Sequence, residues 1–387
     1  MSLATETPRR TIPVCTPVLD GREAEYVADC LETNWVSSLG AYIPRFEQRF
    51  AALGGAPYAV ACSSGTAAIH LALECLDIGP GDEVIIPAFT LIVSANMVCL
   101  TGATPVLVDV RPDTWCIDPA LIEAKITART KAIMVVHMYG HPCDMDAICA
   151  IARRHHLHVI EDAAQAHGAT YRGRTVGGIG DVGCFSFYGN KIITTGEGGM
   201  LVTRRREIAE RAALLRNQAF GEERFVHHQV GFNYRMTNIQ AAIGLAQCER
   251  FDEKVRRKRE IAAVYDELLA DEMTIQRPAH GVGCEPVWWM YGIVLKDAFG
   301  RTKADPSRLR TRVQDALAAQ GIETRSFFIP MHRQPVFQGG HRRWPNLRGT
   351  YPVSDELGRS GLYLPSGLDL TYDDQVYVVE QLLECKR

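Results

Sequence analysis

Long apolar runs are missing from this chain of 387 residues; the longest are broken by serine or asparagine and fall well short of a membrane span. The opening MSLATETPRR lacks the apolar stretch of a secretory leader, so a cytoplasmic protein is expected. No CxxC spacing occurs among the 12 cysteines. Scattered through so large a chain, they read as small buried hydrophobes in a reducing compartment, not as a disulfide framework. Excess charge is also missing: 42 Lys and Arg against 45 Asp and Glu leave a net charge of −3, which offers no basic field for nucleic acid. The basic cluster KVRRKRE at 254–260 lies beside Glu249, Asp252 and Glu253 and reads as a solvated helical face. Histidines gather at RRHHLH (153–158), but that stretch spans a helix end and a strand start, which sends the rings in different directions, so no metal site is expected. Internal repeats and low-complexity segments are absent too.

What remains is a strong alternation of periods. Short apolar runs at 58–62, 83–87, 104–110, 131–137 and 157–161 alternate with helical patterns at 64–75, 90–101, 118–126 and 144–156. This predicts an α/β fold, a mostly parallel sheet flanked by helices. A long charged helical stretch at 238–270 leads to a smaller α+β unit, with domains expected at 1–250 and 251–387. In the second unit 287–295 and 322–328 read as strands. Asp305-Pro306 and Thr371 with Asp374 read as helix starts.

Chemistry concentrates in GCFSFYGNKIITTGEGG (183–199), where Lys191 stands between a small-residue strand and a glycine-rich turn. A lysine held in a partly desolvated pocket loses its proton readily and condenses with an aldehyde as a Schiff base. Pyridoxal 5′-phosphate is the aldehyde that fits the rest of the chain. The run VIEDAAQAHGA ends an apolar strand at Asp162, a carboxylate suited to keeping a proton on a pyridine nitrogen. Strand ends are where open α/β sheets place ligands.

Three further segments suit the phosphate. CSSGTAAIHLAL (62–73) turns from a strand into a helix, so free amides face outward, with Gly65 allowing close approach and Thr66 adding a hydroxyl. Ser186, five positions before Lys191, either donates to the phosphate or packs in its strand. GFNYRMTNIQAAIGLAQ (231–247) offers Asn233 as a neutral donor and Arg235 as a fork for a carboxylate.

Together with WVSSLG (35–40), GDEVIIPAFT (81–90) and GATPVLVDV (102–110), these segments resemble the DegT/DnrJ/EryC1/StrS family of sugar aminotransferases over nearly the whole chain. The resemblance implies a type I aminotransferase fold, pyridoxal phosphate, L-glutamate as amino donor and a nucleotide-linked 4-keto-6-deoxy sugar as acceptor. It implies that Lys191 bonds the cofactor, Asp162 faces its ring nitrogen, Gln165 lies near its phenolic oxygen, and Gly65, Thr66 and Ser186 hold its phosphate. Asn233 would complete the site of a second subunit in a homodimer with shared active sites. On the substrate side stand Ser38, Arg235 and His332, the last either a sugar or nucleotide contact or a loop-packing histidine. Relatives usually carry an aromatic residue where this chain has Leu91, so Phe89 is expected to stack on the cofactor instead. Some carry glutamate in place of Gln165 and histidine in place of Ile329. The family's dehydratase branch has a histidine where Lys191 stands, which argues for transamination here.

Overall fold

The computed structural model describes residues 11–223, 225–300 and 305–386; the opening ten residues, read above for a leader, lie outside them. In chain order the strands are β1 (Tyr58–Cys62), β2 (Glu83–Pro87), β3 (Thr104–Val108), β4 (Thr130–Val136), β5 (His158–Asp162), β6 (Thr170–Tyr171), β7 (Arg174–Thr175), β8 (Val182–Ser186) and β9 (Gly199–Thr203). After them come β10 (Ile275–Gln276), β11 (Cys284–Glu285), β12 (Tyr291–Leu295), β13 (Arg325–Ser326) and β14 (Gly361–Leu364).

Seven strands form the main sheet in the order β1-β9-β8-β5-β4-β2-β3. The ladders from β3 through β2, β4 and β5 to β8 are parallel, while β9 runs antiparallel to both β8 and β1. The central strands are apolar almost throughout because helices cover both faces. Alternation splits their residues between two cores: Ile85, Ile133 and Val135 enter one, and Val84, Ile86 and Met134 the other.

The helices are α1 (Glu23–Glu32), α2 (Tyr42–Leu53), α3 (Gly65–Cys75), α4 (Val93–Leu100), α5 (Met145–His155), α6 (Arg206–Arg216), α7 (Asn238–Glu249), α8 (Phe251–Leu268), α9 (Pro306–Ala319), α10 (Pro352–Ser360) and α11 (Tyr372–Glu384). Asp305 caps α9 with Pro306 in its first turn, and Thr371 with Asp374 forms a capping box on α11, as the sequence predicts. A second, antiparallel sheet, β10-β12-β14-β13, carries α8, α9 and α11 on a core of its own. Ile12 bridges to Ile322, so the start of the described chain lies against this smaller sheet.

Four expectations need correction. The pattern at 118–126 gives no α-helix but two single 3-10 turns, at Pro119–Leu121 and Glu123–Lys125, with Ile126 already extended. The stretch at 238–270 breaks at Arg250 (φ −110°, ψ 18°), because α7 packs on α1 and α2 whereas α8 must turn to meet α11. In 287–295 only Tyr291–Leu295 is strand, since Trp288 adopts φ +50°, which no ladder accommodates. In 322–328 only Arg325–Ser326 is strand, paired with Tyr363 and Leu362 of β14, while Ile322 makes just the isolated bridge to Ile12.

Candidate active site

β5 ends on two carboxylates that strand geometry sends to opposite faces. Glu161 is fully enclosed and accepts from the backbone N–H groups of Gly177, Ile179 and Gly180 at 2.6–2.7 Å and from His137 Nε2 at 3.0 Å. Asp162 lies on the other face, also buried; Ala164 N–H donates to it at 3.1 Å, and Ser94 adds a hydroxyl. Burial raises the Asp162 carboxyl above the usual range, against the pull of the Ala164 amide and of Lys191.

Lys191 follows β8 in a turn that brings its amine toward Asp162. Desolvation pushes the amine down to about 7, with Asp162 and Cys15 opposing the shift. Nζ sits 3.6 Å from the ring centroid of Trp289, whose indole N–H donates to the carbonyl of Asn190 at 2.6 Å.

The SSGT turn reaches the same place. Ser64 caps α3 by accepting from Ala67 N–H at 3.1 Å, which leaves the Gly65 and Thr66 amides pointing outward. Gly65 packs so closely on β8 that an added Cβ would lie 2.7 Å from Ser186 Cβ. Gly65 and Ser186 therefore stand side by side at a helix N-terminus, with Thr66 exposed next to them, a cradle whose amides and hydroxyls suit a phosphate. Gln165 is oriented by its oxygen, which accepts from Tyr139 N–H at 2.7 Å, so its amide hydrogens are free to donate to a phenolic oxygen.

The 231–236 loop is tied to α6 and to the cradle: Phe232 and Tyr234 N–H donate to Leu215 and Arg216, and the Tyr234 carbonyl accepts from Ser63 N–H at 2.8 Å. Its Asn233 side chain is exposed and, among the described residues, has no hydrogen-bond partner. Arg235 donates to Asn217 Oδ1 at 2.9 Å and, with Ser38, lines a cavity of about 390 Å³.

Two candidates stand apart. His332 is buried, pairs with Asp355 at 2.9 Å and packs on Tyr351, and makes no hydrogen bond, ion pair or ring contact with Lys191 or Asp162. Phe89 has no exposed surface and packs among Tyr139, Phe327 and Phe328, a setting that supports a core role over a stacking platform. Sequence reasoning missed Trp289, Ser94 and Cys15. Only Trp289 left a signal, since a buried indole needs a partner for its N–H.

Residues 17–383 match the model of the DegT/DnrJ/EryC1/StrS aminotransferase family. The chain belongs to that family. The aminotransferase is 48% identical over 373 residues to GDP-perosamine synthase of Caulobacter vibrioides, covering 96% of this chain and 97% of that protein. It is 43% identical to GDP-perosamine synthase of Escherichia coli O157:H7, covering 96% and 98%. The solved structure of DesV from Streptomyces venezuelae superposes with a TM-score of 0.86 at 37% identity, over 95% of this chain and 94% of that one. The aminotransferase has the type I fold and depends on pyridoxal phosphate. Its own residues suit that group: outward-facing amides at a helix start packed on β8, a buried carboxylate at the end of the neighbouring β5, and a desolvated amine in the turn after β8.

Proposed function

We propose that this aminotransferase carries the amino group of L-glutamate to C4 of a nucleotide-linked 4-keto-6-deoxy sugar, with GDP-4-keto-6-deoxymannose as the acceptor. The product is an amino sugar of the kind built into the O-antigen of lipopolysaccharide. The observation that carries the reading is the pairing of Lys191, an amine near neutral affinity for protons, with the buried carboxylate of Asp162. The GDP-linked acceptor is supported by the 48% identity to a GDP-perosamine synthase over nearly the full length of both chains.

Bound pyridoxal phosphate supplies an aldehyde carbon and an electron-withdrawing ring. Gly65, Thr66 and Ser186 hold its phosphate through amides and hydroxyls. Asp162 keeps a proton on the ring nitrogen, and Gln165 donates to the phenolic oxygen. With that group bound, Lys191 would be the residue that takes a proton from the amino donor's α-carbon and gives it up again, and that would serve in the opposite sense for the keto sugar. With a proton affinity close to neutral, its amine serves both as base and as acid. Ser38 and Arg235 border the substrate side.

The working form is a cytoplasmic homodimer, with a larger unit through residue 250 and a smaller one from 251. Exposed Trp35, Val36 and Leu39 flank Ser38, an apolar patch suited to a second copy, and Asn233 projects outward to complete the partner's phosphate site. The test is a single turnover of protein loaded with pyridoxamine phosphate against GDP-, UDP- and dTDP-linked 4-keto-6-deoxy sugars, read by product mass. Amination of the GDP sugar at least tenfold faster than the others is expected. A preference for another nucleotide overturns the acceptor, and no amination of any of them overturns the reaction.

A further inference from the structure

Trp289 touches the Lys191 segment twice. Its ring lies under Nζ at 3.6 Å, and its indole N–H donates to the carbonyl of Asn190, the residue just before the lysine. Trp289 is itself pinned: its carbonyl accepts from Nζ of Lys258 at 2.9 Å, a fully buried lysine of α8 that also donates to the carbonyl of Ser366. On the ring's flank Tyr139 lies nearly parallel, at 6.4 Å and 22°. A chain of contacts thus runs from α8 through one indole to both the side chain and the backbone at Lys191, although Trp289 belongs to the segment entering β12 of the smaller sheet.

A lysine that moves protons is an unattached amine for part of every cycle, and in a desolvated pocket its ammonium has lost its water. The titratable groups that face it are Asp162 at the end of β5, Cys15 of the N-terminal segment and His167. An aromatic face is the remaining source of stabilisation for the cation. An aliphatic side chain would fill only part of the same volume and would supply neither the ring face nor the N–H. We infer that Trp289 is a positioning residue for the reaction: its ring is the resting place of the free Lys191 amine, and its N–H fixes the backbone that sets the lysine's reach. This rests on Lys191 as the proton carrier, and it is independent of which sugar is the acceptor.

The test uses protein loaded with pyridoxamine phosphate, in which Lys191 is free, with neither glutamate nor sugar present. Labelling of Lys191 by an amine-acylating reagent is followed against pH by peptide mass spectrometry, alongside the melting temperature of each variant. Trp289→Leu and Trp289→Met lower the pH of half-maximal labelling by about one unit, the scale of a desolvated cation–ring contact. Trp289→Phe, which keeps a ring face, recovers most of that shift. A packing role would lower melting temperature and leave the labelling midpoint in place. An unchanged or raised midpoint in either aliphatic variant that folds overturns the inference.

Discussion

Glu161 and Asp162 are sequence neighbours with divided tasks: one carboxylate is spent on backbone N–H groups and the other faces Lys191. Their amide variants therefore fail in opposite ways. Glu161→Gln turns an amide toward N–H donors and costs about 2–4 kcal/mol, read as a loss in urea unfolding. Asp162→Asn spares the fold, because burial raises the aspartate's proton affinity and its ionised form is a burden at neutral pH. That variant matches or exceeds the parent in stability at pH 7, with the difference vanishing in acid, where the parent's carboxyl is protonated. Its rate of proton removal, measured by stopped flow, falls roughly 10²–10⁴-fold. Rates within a factor of a few of the parent would give Asp162 another role.

Lys191→Met separates chemistry from stability. The variant retains no cofactor after borohydride reduction, by intact mass, because the bonding amine is gone. In the cofactor-free protein its stability advantage depends on pH. Lys191 titrates near 7 in the fold against an ordinary value of 10.5. Between those values the unfolded chain binds the proton and the folded one does not, so parent stability rises with pH. The advantage of methionine is greatest below about pH 7, shrinks through the window from 7 to 10.5 and disappears above it. Urea midpoints of the two proteins that stay in parallel from pH 6 to 11 would contradict the burial of this amine.

Gly65 is required by proximity. A β-carbon there would meet Ser186 Cβ at 2.7 Å and its Cα at 3.2 Å, so Gly65→Ala must push α3 away from β8. The cradle widens, and cofactor affinity falls about tenfold or more in equilibrium dialysis. Ser186→Ala removes one hydroxyl without moving α3 and costs less. Equal losses in the two variants would mean that the cradle's width does not matter.

Periodicity made the main sheet legible because its strands are apolar on both faces and are separated by helical patterns of ordinary length. The candidate site was legible for a different reason: Asp162, Gly65 and Ser186 each sit at a strand end or helix start that the local sequence marks, and Lys191 in the glycine-flanked turn after β8. What the sequence hid is side-chain direction across elements. KVRRKRE read as a solvated face, yet Lys254 and Lys258, one helical turn apart, are both buried and reach the carbonyls of Val18, Trp289 and Ser366. Charge alone cannot announce that backbone carbonyls wait on the far side. Lys258→Met, which strands two buried carbonyls, is expected to cost about 2–4 kcal/mol in urea unfolding, where a surface lysine would cost under 0.5. His332 is the converse case, a polar residue in a conspicuous loop whose Nε2 is paired with Asp355.

Asn233 gives the sharpest test of a shared site, because its exposed side chain stands before α7 on a loop whose backbone is tied to its own subunit at Phe232 and Tyr234. If it completes the partner's cradle, Lys191→Ala and Asn233→Ala damage different components of each site. In a mixed dimer one site then collects both lesions and the other is intact. Random exchange makes about half the dimers mixed, with one working site in two, so mixing two poorly active proteins restores about a quarter of parental activity. Asn233→Ala must first be weak by itself, which a cofactor titration and a turnover assay establish. Heterodimers verified by native mass spectrometry that show no gain over the averaged parents would place Asn233 in its own subunit's site or in support of the loop alone.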